Sequence, residues 1–368
     1  MPHRPLLHRI DAYIIGQLLI ALLLVTTGLV ALIWLTQSLR FIQIIVDHGL
    51  SPLVFLKLTF LLVPSFLATI LPITSFIVVL FVYSRLAGDR ELTIMRGIGL
   101  SDMKLARPAL GVALGAVLLG YALTMGLVPA SISAFRAYQF EIRNQIAAFL
   151  LQPGVFTQVT SHVTVYVQAR DPNDSLRGIL IEDNRNPASP ATILARTGQL
   201  VVTPSGPMVV LQDGSREQID AKTGRLDLLT FKRNQISLAQ TAKAMTPDET
   251  NAAQAPLGAL LHPRKGLSAG ERGKWLVEAQ RRLTAPLTAL SYSLVALVAV
   301  LGGAFRRHGG LLRPAVAVGI VTLLVALELG VQNLAARNTA LLPFIWVVVL
   351  VPGLVPAFML VRQNGPRG

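Results

Sequence analysis

Long stretches without charged residues constrain this chain more than any other feature. Six stretches contain at most one charged residue each, and together they hold 147 of the 368 residues. They are residues 14–35, 58–84, 108–135, 283–305, 314–336 and 338–361. A helix needs about 20 apolar residues to cross a bilayer, and each stretch is long enough. The pattern excludes a purely soluble protein. It also excludes an outer-membrane barrel, whose strands alternate in ~10-residue segments.

The positions of the charged residues predict the orientation of these spans. The formal net charge is +14, and twelve basic residues lie in the N-terminus, the 85–107 loop, the 306–313 turn and the C-terminal tail. The two short loops on the opposite side hold few basic residues, among them Arg40 and Arg337. Because basic loops stay in the cytoplasm, we expect both termini there and the segment after span 3 on the opposite side. The charges of that segment are spread out, which disfavours a nucleic-acid partner.

The insert between spans 3 and 4 has the pattern of a β-rich domain. Val163, Val165 and Val167 alternate with Thr, Tyr and Gln, the period of two that indicates a half-buried strand. Further short strands are expected downstream, with a hairpin turn at Asp213-Gly214. Such spacing predicts a sandwich or jelly-roll-like sheet. We therefore expect an N-terminal membrane half, a β-rich domain and a C-terminal membrane half at residues 1–135, 136–282 and 283–368.

Span 3 carries a helix-packing motif. Gly111 and Gly115 are four residues apart, and small residues at this spacing let another helix approach closely. We expect the motif to pack against another span of the same chain, and contact with a second protein is the alternative.

The sequence contains no recognisable set of catalytic or metal-binding residues. The chain has no cysteine, which excludes disulfides and thiolate metal sites. Its six histidines are scattered without the spacing of a metal site, and no G-x-x-x-x-G-K-[ST] phosphate loop is present. We therefore expect no enzyme activity, metal or cofactor in this chain.

The loop between spans 2 and 3 is the most informative segment. Asp89 is placed to cap a short helix, and Glu91 lies in its first turn, where the helix dipole favours a negative charge. Leu92 and Met95 form one small apolar face, and Arg96 ends the helix. These residues leave two interpretations open. The helix lies on the lipid headgroups, or it docks into a groove of a soluble partner.

Four segments and the arrangement of the spans point to one family. The segments are the span 1 exit LTQSLRF at 35–41, Leu71-Pro72, the loop RELTIMRGIG at 90–99 and EAQRRLTAP at 278–286. The chain resembles the lipopolysaccharide-export permeases LptF and LptG essentially from end to end, and LptF more closely. The loop is similar to the family's (S/D)-E-L-x-x-M-R-x-x-G motif, although Arg90 stands where relatives often have a small or polar residue.

The resemblance implies a fold and a set of partners. It implies an α-helical protein of the bacterial inner membrane, with six transmembrane helices (3+3) around a periplasmic β-jelly-roll-like domain. Such a chain is one permease of an ABC exporter that extracts lipopolysaccharide and passes it toward the outer membrane. The implied partners, besides membrane lipids, are an LptG-like sibling permease, an LptB-like ATPase dimer that hydrolyses ATP, and LptC-like and LptA-like bridge proteins.

The resemblance also implies roles for individual residues. The segment near 86–100 becomes a coupling helix, in which the carboxylate of Glu91 meets the ATPase. Leu92, Met95 and Arg96 accompany it. Arg40, at the outer end of span 1, falls where the family places a basic residue near the phosphates of the lipid. An ordinary interfacial anchor is the alternative for Arg40.

Glu328 is the one carboxylate inside a span. A charge at the bilayer centre costs at least ~2.5 kcal/mol on insertion scales. Glu328 lies within about three turns of the outer end of span 5, where the cost is lower. We place it on the substrate path, since the resemblance gives span 5 a gating role, and outward snorkelling is the alternative.

Two other classes of function are compatible with a six-span chain. A secondary transporter predicts several charges near the midplane and inverted repeats, whereas this chain has one such charge and no evident repeat. A scaffold that only anchors a β domain would need neither six spans nor a docking loop.

Overall fold

A computed structural model of the chain describes most of its residues. The described ranges are 6–48, 52–150, 153–160, 162–171, 175–186, 189–203, 206–219, 225–237, 252–263, 266–302 and 312–363. The chain divides into two compact units, one formed by Met1–Phe135 with Asn251–Gly368 and the other by Arg136–Thr250.

The first unit is helical and contains the apolar stretches. Its helices are α1 Leu6–His48, α2 Pro52–Phe60, α3 Val63–Gly88, α4 Glu91–Gly97, α5 Asp102–Ala122, α6 Val128–Leu150, α7 Leu257–Leu261, α8 Ala269–Leu301, α9 Leu312–Arg337 and α10 Leu342–Gln363. The last part of α6 extends beyond this unit. Within the described residues, six helical stretches are long and apolar enough to cross a membrane: Arg9–Leu39, Pro52–Gly88, Asp102–Gln139, Ala269–Leu301, Leu312–Arg337 and Thr339–Arg362. The six predicted spans are therefore confirmed.

Span 4, formed by α8, lies at the centre of this unit. It packs against α3, α5, α9 and α10. Of the most apolar part of span 4, 61% is buried, against 11% in spans 1 and 5. A capping box begins the helix, because the Ser268 side chain accepts from the Glu271 backbone N–H while the Glu271 carboxylate accepts from the Ser268 backbone N–H. The buried side chains of α8 contribute to the largest apolar core of the chain, together with residues of α1, α3 and α5.

The glycines of span 3 pack differently from our expectation. A Cβ on Gly111 or Gly115 would meet nothing within 4 Å, so the expected packing of this motif against another span is wrong among the described residues. Gly120 makes the close approach instead, since a Cβ there would lie 3.1 Å from Pro286 Cβ of α8. The spacing of small residues indicated a helix–helix contact but not which glycine makes it.

The described residues of the second unit include a six-stranded antiparallel sheet. Its strands are β1 Phe156–Thr160, β2 Val163–Arg170, β3 Ser175–Asp183, β4 Ala191–Thr203, β5 Gly206–Ile219 and β6 Leu226–Ser237. The predicted β-rich insert is confirmed, and the valines at 163, 165 and 167 are each 1% exposed, as the alternation predicted. The described strands pair in the order of the sequence, a meander, whereas a jelly roll is built from Greek-key connections.

The expected hairpin turn at Asp213-Gly214 is wrong. Strand β5 continues through both residues, and the pairing with β4 keeps one register on either side, Thr197 with Gln212 and Ala195 with Gly214. Asp213 has a φ of 50°. An Asp-Gly pair favours positive φ in a turn, and Asp is one of the few residue types that visit this region. Here the left-handed residue interrupts the ladder locally without reversing the chain.

The end of the insert also differs from the expected boundary at residue 282. The β unit ends at Thr250, and the following residues belong to the helical unit. Since α8 runs unbroken from Ala269 to Leu301, position 282 lies inside a helix. The sequence indicated the helix that leads into span 4, but not that it packs with the spans.

Candidate functional site

The loop between spans 2 and 3 forms a short helix, but Asp89 does not cap it. Helix α3 extends to Gly88, so Asp89 ends that helix, and its carboxylate lies 3.6 Å from Arg85 Nε. Arg90 occupies the N-cap position of α4 with a φ of 60° and no capping hydrogen bond from its side chain. Helix α3 thus ends and α4 begins on either side of Asp89 and this left-handed residue. The predicted capping role of Asp89 is therefore wrong, while Glu91 lies in the first turn as expected.

Glu91 lies beside the first span. The Tyr13 hydroxyl of α1 donates to Glu91 Oε1 at 3.5 Å, a long hydrogen bond. Glu91 as a whole is half-buried. The first turn of α4 is thus next to α1. The negative charge of Glu91 also interacts favourably with the helix dipole at the N-terminus of α4.

The predicted apolar face of α4 points into the chain. Leu92 is 4% exposed, and Met95 packs against the large apolar core of the helical unit. A seven-residue helix is not stable by itself, because its few hydrogen bonds do not offset the unfavourable free energy of helix nucleation. Leu92 and Met95 therefore hold α4 on its own chain.

Arg96 connects α4 with two other helices. Its Nε donates to Asp102 Oδ1 of α5 at 2.8 Å, and an Nη donates to the carbonyl of Leu301 at 2.6 Å. Leu301 is the last residue of α8, where the helix dipole favours a cation. Arg96 thereby ties the loop to the end of span 4.

Two apolar side chains on the opposite side of α4 were missed by the sequence analysis. Ile94 is 66% exposed and Ile98 is 68% exposed, and Arg90 is exposed next to them. We call Arg90, Ile94 and Ile98 the outward face of α4. The four-residue spacing of the isoleucines indicates a shared helix face. The three-residue spacing of Leu92 and Met95 indicates another, and the sequence alone does not show which of the two faces the core.

Glu328 joins spans 4 and 5. The Tyr292 hydroxyl of α8 donates to Glu328 Oε2 at 3.2 Å, and Gln332 Nε2 of α9 donates to Oε1 at 3.1 Å. Both carboxylate oxygens are thus held by the chain itself. A charged or polar group within a span needs such partners, because lipid offers none.

Arg40 belongs to α1, but its side chain lies outside the described residues. Next to this part of span 1 the structure has a groove of about 680 Å³ between spans 1 and 2. Its lining is almost entirely apolar and includes Val30, Trp34, Phe60 and Lys57. Of the predicted site residues, the structure brings Glu91, Leu92, Met95 and Arg96 together and places Glu328 elsewhere, between spans 4 and 5.

Comparison with known proteins identifies the family of the chain. Residues 12–362 match the family described as "Lipopolysaccharide export system permease LptF/LptG". The chain belongs to the LptF/LptG family. This family consists of permease subunits of the inner membrane, which agrees with the six spans and the central sheet.

The sequence identity to individual relatives is below 30%. The chain is 28% identical to the uncharacterized protein RP871 of Rickettsia prowazekii over 355 residues, which are 96% of this chain and 98% of that protein. It is 24% identical to the lipopolysaccharide export system permease protein LptF of Escherichia coli K12 over 242 residues, 65% of this chain and 66% of that LptF. The LptF of Shigella flexneri matches to the same extent.

Proposed function

We propose that this chain is one permease of an ABC exporter that extracts lipopolysaccharide from the inner membrane and passes it to a periplasmic bridge toward the outer membrane. The family match over residues 12–362 carries the proposal. In this function the chain moves the lipid mechanically, and a separate LptB-like ATPase dimer hydrolyses ATP. The sequence has no phosphate-binding loop of its own, which agrees with this division of work.

A second, LptG-like permease closes the substrate cavity in this proposal. Spans 1 and 5 support it, since only 11% of the most apolar part of each is buried in the chain itself. Both expose large apolar side chains along much of their length, such as Leu23 and Leu323. These two spans have room for helices of another protein, whereas spans 2 and 4 are mostly covered.

Helix α4 transmits the movement of the ATPase. Its outward face and Glu91 contact the partner, and this assignment adds Ile94 and Ile98 to the residues expected from the sequence. Leu92, Met95 and Arg96 act on the inner side, where they hold α4 against the core and against the end of α8. The ATPase therefore pulls or pushes span 4 through α4.

The charge distribution supports the orientation, with both termini in the cytoplasm and the β unit in the periplasm. In the outer leaflet, Arg40 binds the phosphates of the lipid, and the groove beside Trp34 accepts an apolar chain. Glu328 lies on the substrate path, where its hydrogen bonds hold span 5 against span 4 until the lipid passes.

The β unit hands the lipid to the LptC-like and LptA-like proteins. Within the described sheet, β1 and β6 are the edge strands. Strand β6 exposes Leu226, Leu228 and Leu229. An open edge can pair with a strand of another protein, which extends one sheet across two chains. This edge supports a continuous path from the permease to the bridge.

Affinity purification in mild detergent tests the proposal. The tagged chain should retain a sibling permease and a soluble ATPase. The reconstituted complex should release lipopolysaccharide from proteoliposomes to a bridge protein only with ATP. Recovery of the chain without either partner would contradict the proposal, and so would transport driven by an ion gradient without ATP.

A further inference from the structure

The segment that returns from the β unit is fastened to span 4. Residues 252–261, which we call the return segment, are the first described residues after that unit. Ala255 and Leu260 are both 0% exposed, and they pack with Ala279 of α8. Trp275, also of α8, borders the same small cluster. The contact lies in the N-terminal half of α8.

The side chain of Arg282 donates hydrogen bonds to three backbone carbonyls of this segment. Its Nη1 donates to the Ala255 carbonyl at 2.7 Å, and its Nη2 donates to the carbonyls of Ala252 and Ala253 at 3.0 and 2.9 Å. Its Nε donates to Glu278 Oε1 at 3.1 Å. Arg282 is 3% exposed. A buried cation needs paired charge and satisfied donors, and Glu278 with the three carbonyls provides both.

Arg281 offers a natural comparison. It binds the same carboxylate, with Nε to Glu278 Oε2 at 2.9 Å and Nη2 to Oε1 at 3.0 Å. Its side chain is 46% exposed, however, and within the described residues its hydrogen bonds go to Glu278 alone. The two adjacent arginines thus share a partner and differ in their contact with the return segment.

Span 4 therefore carries an arginine contact toward each end. At its C-terminal end, Leu301 accepts from Arg96 of α4, and toward its N-terminal end Arg282 holds the return segment. Positions 282 and 301 are 19 steps apart in the helix, a rise of about 29 Å. This is about the thickness of the hydrocarbon core of a bilayer.

We propose that Arg282 is a positioning residue that makes the return segment move with span 4. A movement of α4 then reaches the chain next to the β unit through one helix. The inference rests on the proposed function for its consequence in transport. The fastening itself concerns only the helical unit, and it can be tested without partners.

Cysteine labelling tests the fastening. The chain has no cysteine, so Ala255→Cys introduces a single thiol at a fully buried position beside Arg282. In detergent, a maleimide should label this thiol slowly in the parent and in the Arg281→Ala variant. We expect labelling at least tenfold faster with Arg282→Ala. Equal labelling rates in the two arginine variants would overturn the fastening.

Transport by the reconstituted complex tests the positioning role. With Arg282→Ala, transfer of lipopolysaccharide to the bridge protein should fall at least tenfold while the ATPase rate stays within twofold. Arg281→Ala should leave both near the parent values. Arg282→Lys keeps the charge but not the planar set of donors, and it should give an intermediate loss. A parallel fall of transfer and ATPase rate, or no fall, would overturn the role.

The two tests also separate the inference from the proposed function. If Arg282→Ala does not assemble, Arg282→Lys decides, since it should still lose transfer more than ATPase activity. If the parent chain binds no ATPase, the proposed function fails. The labelling experiment still gives its result on the isolated full-length chain.

Discussion

Asp183 and Arg185 at the end of β3 form a charge pair outside the spans. Arg185 Nε donates to Asp183 Oδ1 at 2.8 Å, and an Nη donates to Oδ2 at 2.6 Å. The hydrogen bond from Arg185 holds the pKa of Asp183 below its ordinary value. Because the carboxyl pKa is lower in the folded protein, the pair stabilises the fold above the unfolded pKa of about 3.9. The stabilisation is lost as the pH falls through the folded pKa.

This pair predicts a pH dependence of the β unit. Arg185→Gln should lower the stability of the unit at pH 7 by at most about 1 kcal/mol, as for a partly exposed ion pair. The difference from the parent should vanish below the folded pKa of Asp183. Pulse proteolysis of the β unit in urea, at several pH values, measures it. A difference that persists unchanged at pH 2 would contradict the assignment.

The residues of α4 that pack within the chain can be tested separately from those that we propose to contact the ATPase. Ile94→Ser should weaken co-purification of the ATPase at least tenfold and leave the folding of the chain unchanged, since its side chain is 66% exposed. Leu92→Ala is the matched change on the inner side. It should destabilise the chain itself by about 2–4 kcal/mol, because it leaves a cavity in the core. The prediction fails if Ile94→Ser keeps the ATPase and unfolds the chain instead.

Among the elements, spans 4 and 5 approach closely at one glycine. A Cβ on Gly273 of α8 would collide with the carbonyl oxygen of Ala336 near the end of α9. Backbone atoms cannot move aside as a flexible side chain can, so the two helices would have to separate. The position thus requires glycine because of the neighbouring helix and not because of its own dihedral angles.

Gly273→Ala should therefore destabilise the helical unit by about 1–3 kcal/mol through overpacking. The control is Gly270→Ala, three residues earlier in the same helix, where a Cβ meets nothing within 4 Å. That change should be neutral or stabilising by up to about 1 kcal/mol, since alanine favours the helix. Thermal unfolding in detergent compares the two variants. Equal effects would show that the approach of the helices does not limit this position.

The elements also show how far the sequence predicts such a fold. The spans and the valine strand β2 were found, because apolar runs and a period of two depend on local sequence. The predictions for Asp213-Gly214 and Gly115 were wrong. A residue type that tolerates positive φ need not lie in a turn, and a glycine that permits close packing need not have a helix next to it. Helix α4 and its C-cap contain a second apolar pair, Ile94 and Ile98, besides Leu92 and Met95. Only the packing on the core shows that Leu92 and Met95 face inward.

At the scale of the whole molecule, the helical unit is unevenly covered. Spans 2 and 4 are 56% and 61% buried in their most apolar parts, while spans 1 and 5 remain at 11%. The candidate site likewise combines local and long-range features. The loop residues could be predicted from their local motif. The hydrogen bonds that Tyr292 donates to Glu328 and that Arg282 donates to the return segment, by contrast, join distant parts of the sequence.

A sibling permease should therefore stabilise this chain. Binding to the folded state alone raises stability by mass action. We expect the unfolding temperature of the chain in detergent to rise by at least about 5 °C in the presence of the sibling. The control is the same total amount of this chain alone. A complex that forms without any rise would contradict a role of the sibling in covering spans 1 and 5.

The contact between Arg282 and the return segment has a consequence for evolution. Its acceptors at positions 252, 253 and 255 are backbone carbonyls, which every amino acid provides. Mutations at 252 and 253 can therefore accumulate without loss of the contact, while replacement of the arginine removes its planar set of donors. Homologues should show an invariant arginine opposite a segment of drifting sequence. Methods that infer contacts from correlated substitutions will not detect such a pair.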